Sequence, residues 1–348
     1  MKATILGTGS WGSAFARHLA HKWDDVAMWG VEESQVASIN AIGMNPDFIG
    51  DHRLPPNVGA TLDLKVALVG TEAVFAVVPS QSVRGVMAQV AASDALPRDI
   101  PVVCLAKGLE LGTLKRPSEM VREELRQVGR TNPVAVLLGP SHAEEVAAEM
   151  PTAVVLAGDP GFNWEEWQRL ISGPYFRVYT NDDMLGAEIS SAFKNVIAVA
   201  VGLCDGLGMG DNTRGTLMTR GMAELARITT ALGGRQETCF GLAGIGDMIT
   251  TCISRHSRNR NFGEAVALGR EDPAAILRSS RQVVEGFYMA QAALKLGQKF
   301  GIELPIVKAV HEVLFEAKPP LKAIRELMSR LPRSEAETER DLTGRSPA

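Results

Sequence analysis

The sequence predicts an α/β chain with a doubly wound, mostly parallel sheet domain followed by an all-helical domain. Three observations carry this prediction. Short apolar runs bounded by Gly or Pro alternate with helical segments through the first half of the chain. A glycine triplet sits at the first strand-to-helix junction. Strand-like runs then stop at about residue 183, while helical patterning continues to about Leu331.

The runs KATILG, DVAMWG, AVFAVVPS, PVVCLAKG, VAVLLGP and TAVVLAG are short, rich in β-branched residues and apolar throughout. That pattern suits strands buried on both faces, as in a parallel sheet covered by helices. SAFARHLAHK supplies the first crossover helix, and FRVYTNDD, residues 176–183, the last strand. Beyond Met184 the segments LGAEISSAFKNVIAVAVGL, RGTLMTRGMAELARITTALG, FGEAVALG, VVEGFYMAQAALKLGQKF and PIVKAVHEVLFEA repeat apolar residues at helical spacing. The tail PRSEAETERDLTGRSPA, residues 332–348, is polar and charged, which predicts disorder.

Composition narrows the function classes. Of 348 residues, 45% are hydrophobic and 22% charged, the balance of a globular protein. A net charge of −4 argues against a nucleic-acid or anionic-membrane surface. Cys104, Cys204, Cys239 and Cys252 have neither metal-ligand nor paired spacing, which fits a reducing compartment and a cytoplasmic protein. MKATIL leads straight into a strand, leaving no room for a signal peptide. The oiliest helix carries Glu188, Lys194 and Asn195, which argues against an integral membrane segment. His18 and His21 are spaced i, i+3 on the first helix, but no carboxylate or cysteine completes a metal set, so no metal is expected.

Gly7, Gly9 and Gly12 in ILGTGSWGSAFA form G-x-G-x-x-G directly after a strand and at the start of a helix. In that context Gly7 permits the tight turn, Gly9 admits a pyrophosphate to the backbone, and Gly12 lets helix and strand pack closely. Residues 1–183 therefore read as a Rossmann-type dinucleotide-binding domain, 184–331 as a helical substrate domain. Glu32 lies about twenty residues past the last glycine, where an acid would accept from a ribose 2′-hydroxyl; no Arg or Lys follows nearby, which favours NAD over NADP.

Lys194 stands at the head of an apolar helical run. Its helical neighbours Ala187, Ser190, Ser191, Ile197, Ala198 and Val201 include no acid, so an ion pair within the helix does not explain it. Either the ammonium snorkels to water or it is set into a pocket for chemistry. Lys107 in CLAKGLE falls just past a strand's carboxyl end, as do Gly139, Ser141 and Ala143 in LLGPSHAEEVA, where doubly wound sheets hold ligands. In GLAGIGDMITTCISRHSRNRNFG, Asp247 and Thr251 share a helix face, and Arg255, Arg258 and Arg260 cluster before a helix. Arginines there suit a phosphorylated small molecule, with a solvated basic loop as the alternative.

In order along the chain, GTGSWG, AKGLE, GPSHAEE, FKNVIA, GIGDMITTC, SRNRNFG and QVVEG resemble the motifs of bacterial-type NAD(P)-dependent glycerol-3-phosphate dehydrogenases, from residue 2 to roughly 330. The resemblance implies reversible reduction of dihydroxyacetone phosphate to sn-glycerol 3-phosphate, which supplies glycerophospholipid synthesis, with NAD or NADP as cofactor. It matches Lys194 to the family's proton-transferring lysine and Asn195, Lys107, Asp247 and Thr251 to positions around the reacting carbon. It matches Gly139, Ser141, Ser257, Arg258 and Asn259 to substrate contacts, the last two near the phosphate. Ser10, Trp11, Ala143, Val283 and Glu285 match cofactor contacts, Arg258 serving both ligands; a homodimer is compatible with it. Burial and the second ammonium of Lys107 would both lower the pKa of Lys194, with Asp247 opposing them. Two departures stand out. Ser190 and Ser191 replace glycines common in relatives, implying looser packing beside Lys194, and Val31 stands near a commonly basic position, leaving NADP use open. The competing readings are a β-hydroxyacid dehydrogenase of the same architecture and a non-catalytic dinucleotide sensor.

Overall fold

A computed structural model describes residues 1–269, 272–280, 283–331 and 334–335. Apart from Ser334 and Glu335, the tail expected to be disordered lies outside the described residues. The chain divides into two compact units: Met1–Glu110 with Lys115–Met184, and Leu111–Leu114 with the chain from Leu185 onward.

The first unit is built on one eight-stranded sheet: β1 (Lys2–Leu6), β2 (Asp25–Trp29), β3 (Val58–Thr61), β4 (Ala73–Ala76), β5 (Val102–Cys104), β6 (Val134–Leu138), β7 (Thr152–Gly158) and β8 (Phe176–Asn181). Their order is β3-β2-β1-β4-β5-β6-β7-β8. Every pairing is parallel except β6 with β7, so β7 and β8 run against the other strands. This is the doubly wound, mostly parallel architecture that the apolar runs predict. The central strands β4, β5 and β6 are buried at every residue, which explains why they read as unbroken apolar runs rather than alternating ones. The sequence reading passes over β3. VGAT has four residues, only Val58 is buried, and Gly59 weakens the strand signal further.

The sheet's order reverses between β1 and β4, and the turn after β1 leads into helix α1 (Ser10–Leu19). Helix α2 (Glu33–Ile42) follows β2. Phe15 of α1 packs edge-on against Phe75 of β4, with Trp23, Phe176 and Val103 in the same buried cluster. His18 is a packing residue: its Nε2 lies 2.7 Å from the Ile171 carbonyl, and burial lowers its pKa to about 4.

The second unit is helical among its described residues. Its centre is α3 (Met184–Gly206), buried continuously from Gly186 to Cys204. This helix is long and apolar enough to cross a membrane, but its most apolar window is wholly buried, as in a core helix. Further helices of the unit are α4 (Asp211–Ala231), α5 (Asp247–Ile253), α6 (Arg258–Ala267), α7 (Glu285–Phe300), α8 (Pro305–Phe315) and α9 (Pro320–Met328). The sequence reading leaves out α9, which is short and buries only Ala323. Glycines set the spacing around α3. A Cβ on Gly202 would fall 1.9 Å from the Arg260 carbonyl oxygen, and one on Gly263 would fall 2.2 Å from that of Val199. Helices α3 and α6 therefore meet almost backbone to backbone.

Glu224 on α4 is fully buried, and its carboxylate accepts from the Ile306 and Val307 N–H groups at 2.7 and 3.3 Å, capping the start of α8. Burial raises its pKa to about 7 against the pull of those donors. With the folded pKa above the unfolded one, Glu224 favours the folded state below about pH 4.5 and loses that contribution as pH rises through about 7. Glu224→Gln, neutral throughout, should remove this slope. Thermal melts at a series of pH values should show the variant gaining on the wild type by up to about 3 kcal/mol between mildly acidic and mildly alkaline pH. Parallel curves would contradict the assignment.

Candidate functional site

In the first unit the sequence-predicted ligand residues gather at the carboxyl ends of the parallel strands. Gly7 follows β1 with φ +123°, a conformation that L side chains rarely adopt. A Cβ on it would lie 2.4 Å from the Val77 carbonyl oxygen, just past β4, so the glycine lets the turn close over the point where strand order reverses. A Cβ on Gly12 would lie 2.2 Å from the Gly7 carbonyl oxygen, which is why helix α1 can begin so close to the strand it leaves. Gly9 differs: its added Cβ would meet nothing within 4 Å. The N-cap of α1 is Gly9, which has no side chain to cap the helix, and the first turn holds no acidic residue. Backbone N–H groups at an uncapped N-terminus with open space above it suit a pyrophosphate, so the turn fits a dinucleotide.

Neighbouring residues brace this turn. Asn45 Nδ2 donates to the Thr8 carbonyl at 2.7 Å and to Ser13 Oγ at 2.9 Å, and Thr8 Oγ1 donates to Gln35 Oε1 at 2.6 Å. Sequence reasoning missed Asn45 and Gln35, because no local spacing ties them to the glycines. Glu32 is the N-cap residue of α2, exposed, and its carboxylate does not cap the helix. Trp11 is half-buried, and its ring packs against Phe15 and Phe176 at centroid distances of 5.7 and 6.3 Å.

After β5 and β6, Lys107 and the GPSHA segment come together. Lys107 Nζ donates to the Gly139 carbonyl at 2.8 Å and lies 3.5 Å from Ser141 Oγ, which itself donates to the Gly139 carbonyl at 3.0 Å. Gly139 has φ +139°, and a Cβ there would press on Val154 Cα at 3.0 Å. Ala143 opens the short helix Ala143–Ala147 and is buried. The Lys107 loop is held from behind. Arg84 makes a two-pronged pair with Glu110 at 2.6 and 2.8 Å, and Gln81 Nε2 donates to the Leu109 carbonyl at 2.8 Å. Nothing in the sequence marks Gln81 or Arg84 for that task.

The second unit holds the other predicted residues. Lys194 is 5% exposed and Asp247 2% exposed. The lysine ammonium pairs directly with Asp247 Oδ1 and donates to Thr251 Oγ1 at 2.7 Å. Its partner thus comes from α5 rather than from its own helix, which answers why no acid was found at helical spacing around it. Ser191 Oγ donates to Asp247 Oδ2 at 3.0 Å, and the Thr251 hydroxyl donates to the Asp247 carbonyl at 2.7 Å. Directly before α5, Leu242–Gly246 forms a single wide turn with π-type hydrogen bonding. Gly244 there lies against Cys239, whose carbonyl oxygen would be 1.9 Å from an added Cβ. The glycines of GLAGIGD thus seat the wide turn that aims Asp247 at α3. Ser190 and Ser191 are both fully buried with partnered hydroxyls, Ser190 on Cys239 Sγ at 3.7 Å.

A second polar chain lies one residue on. Asn259 Nδ2 donates to Asn195 Oδ1 at 2.9 Å, while Asn259 Oδ1 accepts from the Gly286 N–H at 2.8 Å. Gly286 is needed here, since a Cβ would fall 2.6 Å from the Asn195 carbonyl oxygen. Glu285 begins α7, and Val283 is exposed just before it. Ser257 caps α6 by accepting from the Arg260 N–H at 3.3 Å, and Arg258 is the first residue of that helix, with no acid in the first turn. Of the three clustered arginines, Arg260 is committed elsewhere: it pairs with Asp205 at 2.6 Å, and Asp205 also holds Arg214.

Residues 2–161 match the family model described as NAD-dependent glycerol-3-phosphate dehydrogenase N-terminus, and residues 183–325 the corresponding C-terminus model. A Bacillus licheniformis protein named glycerol-3-phosphate dehydrogenase [NAD(P)+] is 42% identical over 337 residues, covering 97% of this chain and 96% of the relative. A Clostridium botulinum protein of the same name is 41% identical over 334 residues, covering 96% and 99%. The crystal structure of glycerol-3-phosphate dehydrogenase from Coxiella burnetii superposes with a TM-score of 0.88 at 38% identity, covering 94% of this chain and 99% of that one. By both family models and by identity along nearly its whole length, this chain belongs to the NAD-dependent glycerol-3-phosphate dehydrogenase family.

Proposed function

We propose that this protein is an oxidoreductase that interconverts dihydroxyacetone phosphate and sn-glycerol 3-phosphate with NAD(H) or NADP(H), supplying the backbone of glycerophospholipids. The observation that carries the reading is the buried ammonium of Lys194, held by Asp247 and Thr251 in a chain of this family. In this reading residues 1–183 bind the dinucleotide and 184–331 the substrate.

The turn Gly7–Gly12 with Ser10 and Trp11 would hold the dinucleotide, with Ala143, Val283, Glu285 and Arg258 as further contacts. The nicotinamide ring, when bound, supplies or accepts the hydride at substrate carbon 2. Glu32, exposed and not spent on capping its helix, is available for a ribose hydroxyl, and Val31 beside it offers no charge to a 2′-phosphate. We therefore favour NAD over NADP.

Lys194 serves the oxygen on carbon 2, giving it a proton during reduction and taking one during oxidation. The negative charge that develops there is stabilised by a cation in a site poor in water, where electrostatic interactions are strong. Asp247 and Thr251 fix the ammonium's position, so little reorganisation is needed as charge develops. Thr251 can only accept from the lysine, because its own proton is given to the Asp247 carbonyl. Lys107 and Asn195 match positions around the reacting carbon and are assigned there as further contacts. Gly139, Ser141, Ser257 and Asn259 contact the substrate. Arg258, at the start of α6, binds the phosphate by charge and by the helix's own N-terminal N–H groups. That remote anchor orients the carbonyl for reaction.

The arginine-bearing helix start favours a phosphate ester over the carboxylic acid of a β-hydroxyacid dehydrogenase, and the complete lysine pocket favours an enzyme over a sensor. Four buried cysteines that form no disulfide suit a reducing cytoplasm, and a homodimer is the assembly we propose.

Dihydroxyacetone phosphate assayed in parallel with NADH and NADPH should give rapid cofactor oxidation, faster with NADH; no oxidation with either would overturn the reading. Lys194→Ala should lower the chemical rate about 10²–10⁴-fold while dinucleotide affinity stays within about twofold. Wild-type turnover in that variant would remove Lys194 from the reaction. Arg258→Ala should lower kcat/KM for dihydroxyacetone phosphate about 10–100-fold, chiefly through KM, and bring it closer to unphosphorylated dihydroxyacetone. An unchanged ratio between the two substrates would place the phosphate elsewhere.

A further inference from the structure

The Asp247 carboxylate is gripped by one face of α3. Its Oδ1 takes the Lys194 ammonium, and its Oδ2 accepts from Ser191 Oγ at 3.0 Å. Ser191 and Lys194 are three residues apart, so both project from the same side of the helix. A carboxylate held at one oxygen can tilt about its last torsion, since such torsions have broad profiles. Held at both oxygens, it cannot turn without breaking a charge-assisted hydrogen bond.

We propose that Ser191 is a positioning residue for the reaction, fixing the plane of the Asp247 carboxylate so that one of its oxygens stays on Lys194. The proposal rests on the role given to Lys194 above. The protons in the cluster account for its direction. Thr251 spends its hydroxyl proton on the Asp247 carbonyl at 2.7 Å and receives Lys194 at its oxygen. Its oxygen lies 3.4 Å from Asp247 Oδ1, too long to hold that oxygen in place of the ammonium. Ser191 Oγ, at 3.0 Å, holds Oδ2. Nearby among the described residues, Arg260 pairs with Asp205, and burial pushes the Cys252 thiol up to about 12.

Ser190 provides an internal control. It is as deeply buried as Ser191 and sits next to it, but its hydroxyl goes to Cys239 Sγ at 3.7 Å, away from the carboxylate. A Ser→Ala change at either position removes one oxygen from the same packed helix, so a difference between them reports the hydrogen bond to Asp247.

The test has two arms on the full-length protein. In the first, kcat/KM for dihydroxyacetone phosphate is measured against pH for wild type, Ser191→Ala and Ser190→Ala. Ser191→Ala should lose about three- to tenfold at neutral pH, and its acid limb should move to higher pH, because a carboxylate that loses a donor is protonated more easily. Ser190→Ala should keep the wild-type profile, and the KM for NADH should be unchanged in both. In the second arm, urea unfolding of Ser191→Ala and Ser190→Ala is compared in the wild-type and Asp247→Ala backgrounds. The effect of Ser191→Ala should shrink by at least half when Asp247 is absent, while that of Ser190→Ala should persist. Equal effects of Ser191→Ala in both backgrounds, or a pH profile matching that of Ser190→Ala, would overturn the proposal. A wild type with no turnover would overturn the function given to Lys194 instead, and the unfolding cycle would still decide whether Ser191 holds the carboxylate.

Discussion

The buried contact between Lys194 and Asp247 ties α3 to α5, and the proposed chemistry depends on it. Both groups are almost removed from water, and taking an ion out of water costs several kcal/mol even after the protein relaxes. Their mutual attraction offsets that cost only when geometry is good and the remaining lone pairs are satisfied. The structure meets both conditions with Ser191 on one carboxylate oxygen and Thr251 beside the ammonium. An apolar pair of similar volume would serve stability as well or better. The ion pair therefore calls for a functional reason, and the one we propose is a cation fixed beside the oxygen that takes up negative charge.

Helix backbones in this unit approach one another closely because glycines permit it. Gly202 and Gly263 let α3 and α6 touch, and Gly286 lets the start of α7 reach Asn195 and Asn259. The same economy appears in the sheet unit. Gly7 and Gly12 let the first turn fold tightly over the switch in strand order, and Gly139 lets the chain after β6 pass against β7 beneath Lys107. In both units, the polar groups proposed to meet a ligand stand on backbone that has been brought to a fixed place by the absence of a side chain.

Much of this was legible in the residues. The central strands are buried on both faces, so they could be read as apolar runs, and the glycine triplet lies between a strand and a helix where its meaning is least ambiguous. Lys194 could be singled out because an ammonium amid apolar helical neighbours needs a reason. Its partner could not be derived from spacing alone, because Asp247 arrives from another helix after a wide turn. The short edge strand Val58–Thr61 escaped notice for want of buried residues. Ser191 was visible, but only as a small residue in a helix. Its hydroxyl gains meaning once Asp247 is in place. Of the clustered arginines, sequence could not show that Arg260 is taken by Asp205 while Arg258 leads its helix. Long-range polar pairings of this kind leave no periodic trace.

If Lys194 and Asp247 act as one unit, a double-mutant cycle on the single-turnover rate of cofactor oxidation by dihydroxyacetone phosphate tests the account most directly. Lys194→Met and Asp247→Asn should each slow that step, and the combined variant should be no slower than the slower of the two, because the second change removes nothing that still functions. A combined loss equal to the product of the two separate losses would show that the residues act independently, and would contradict the account.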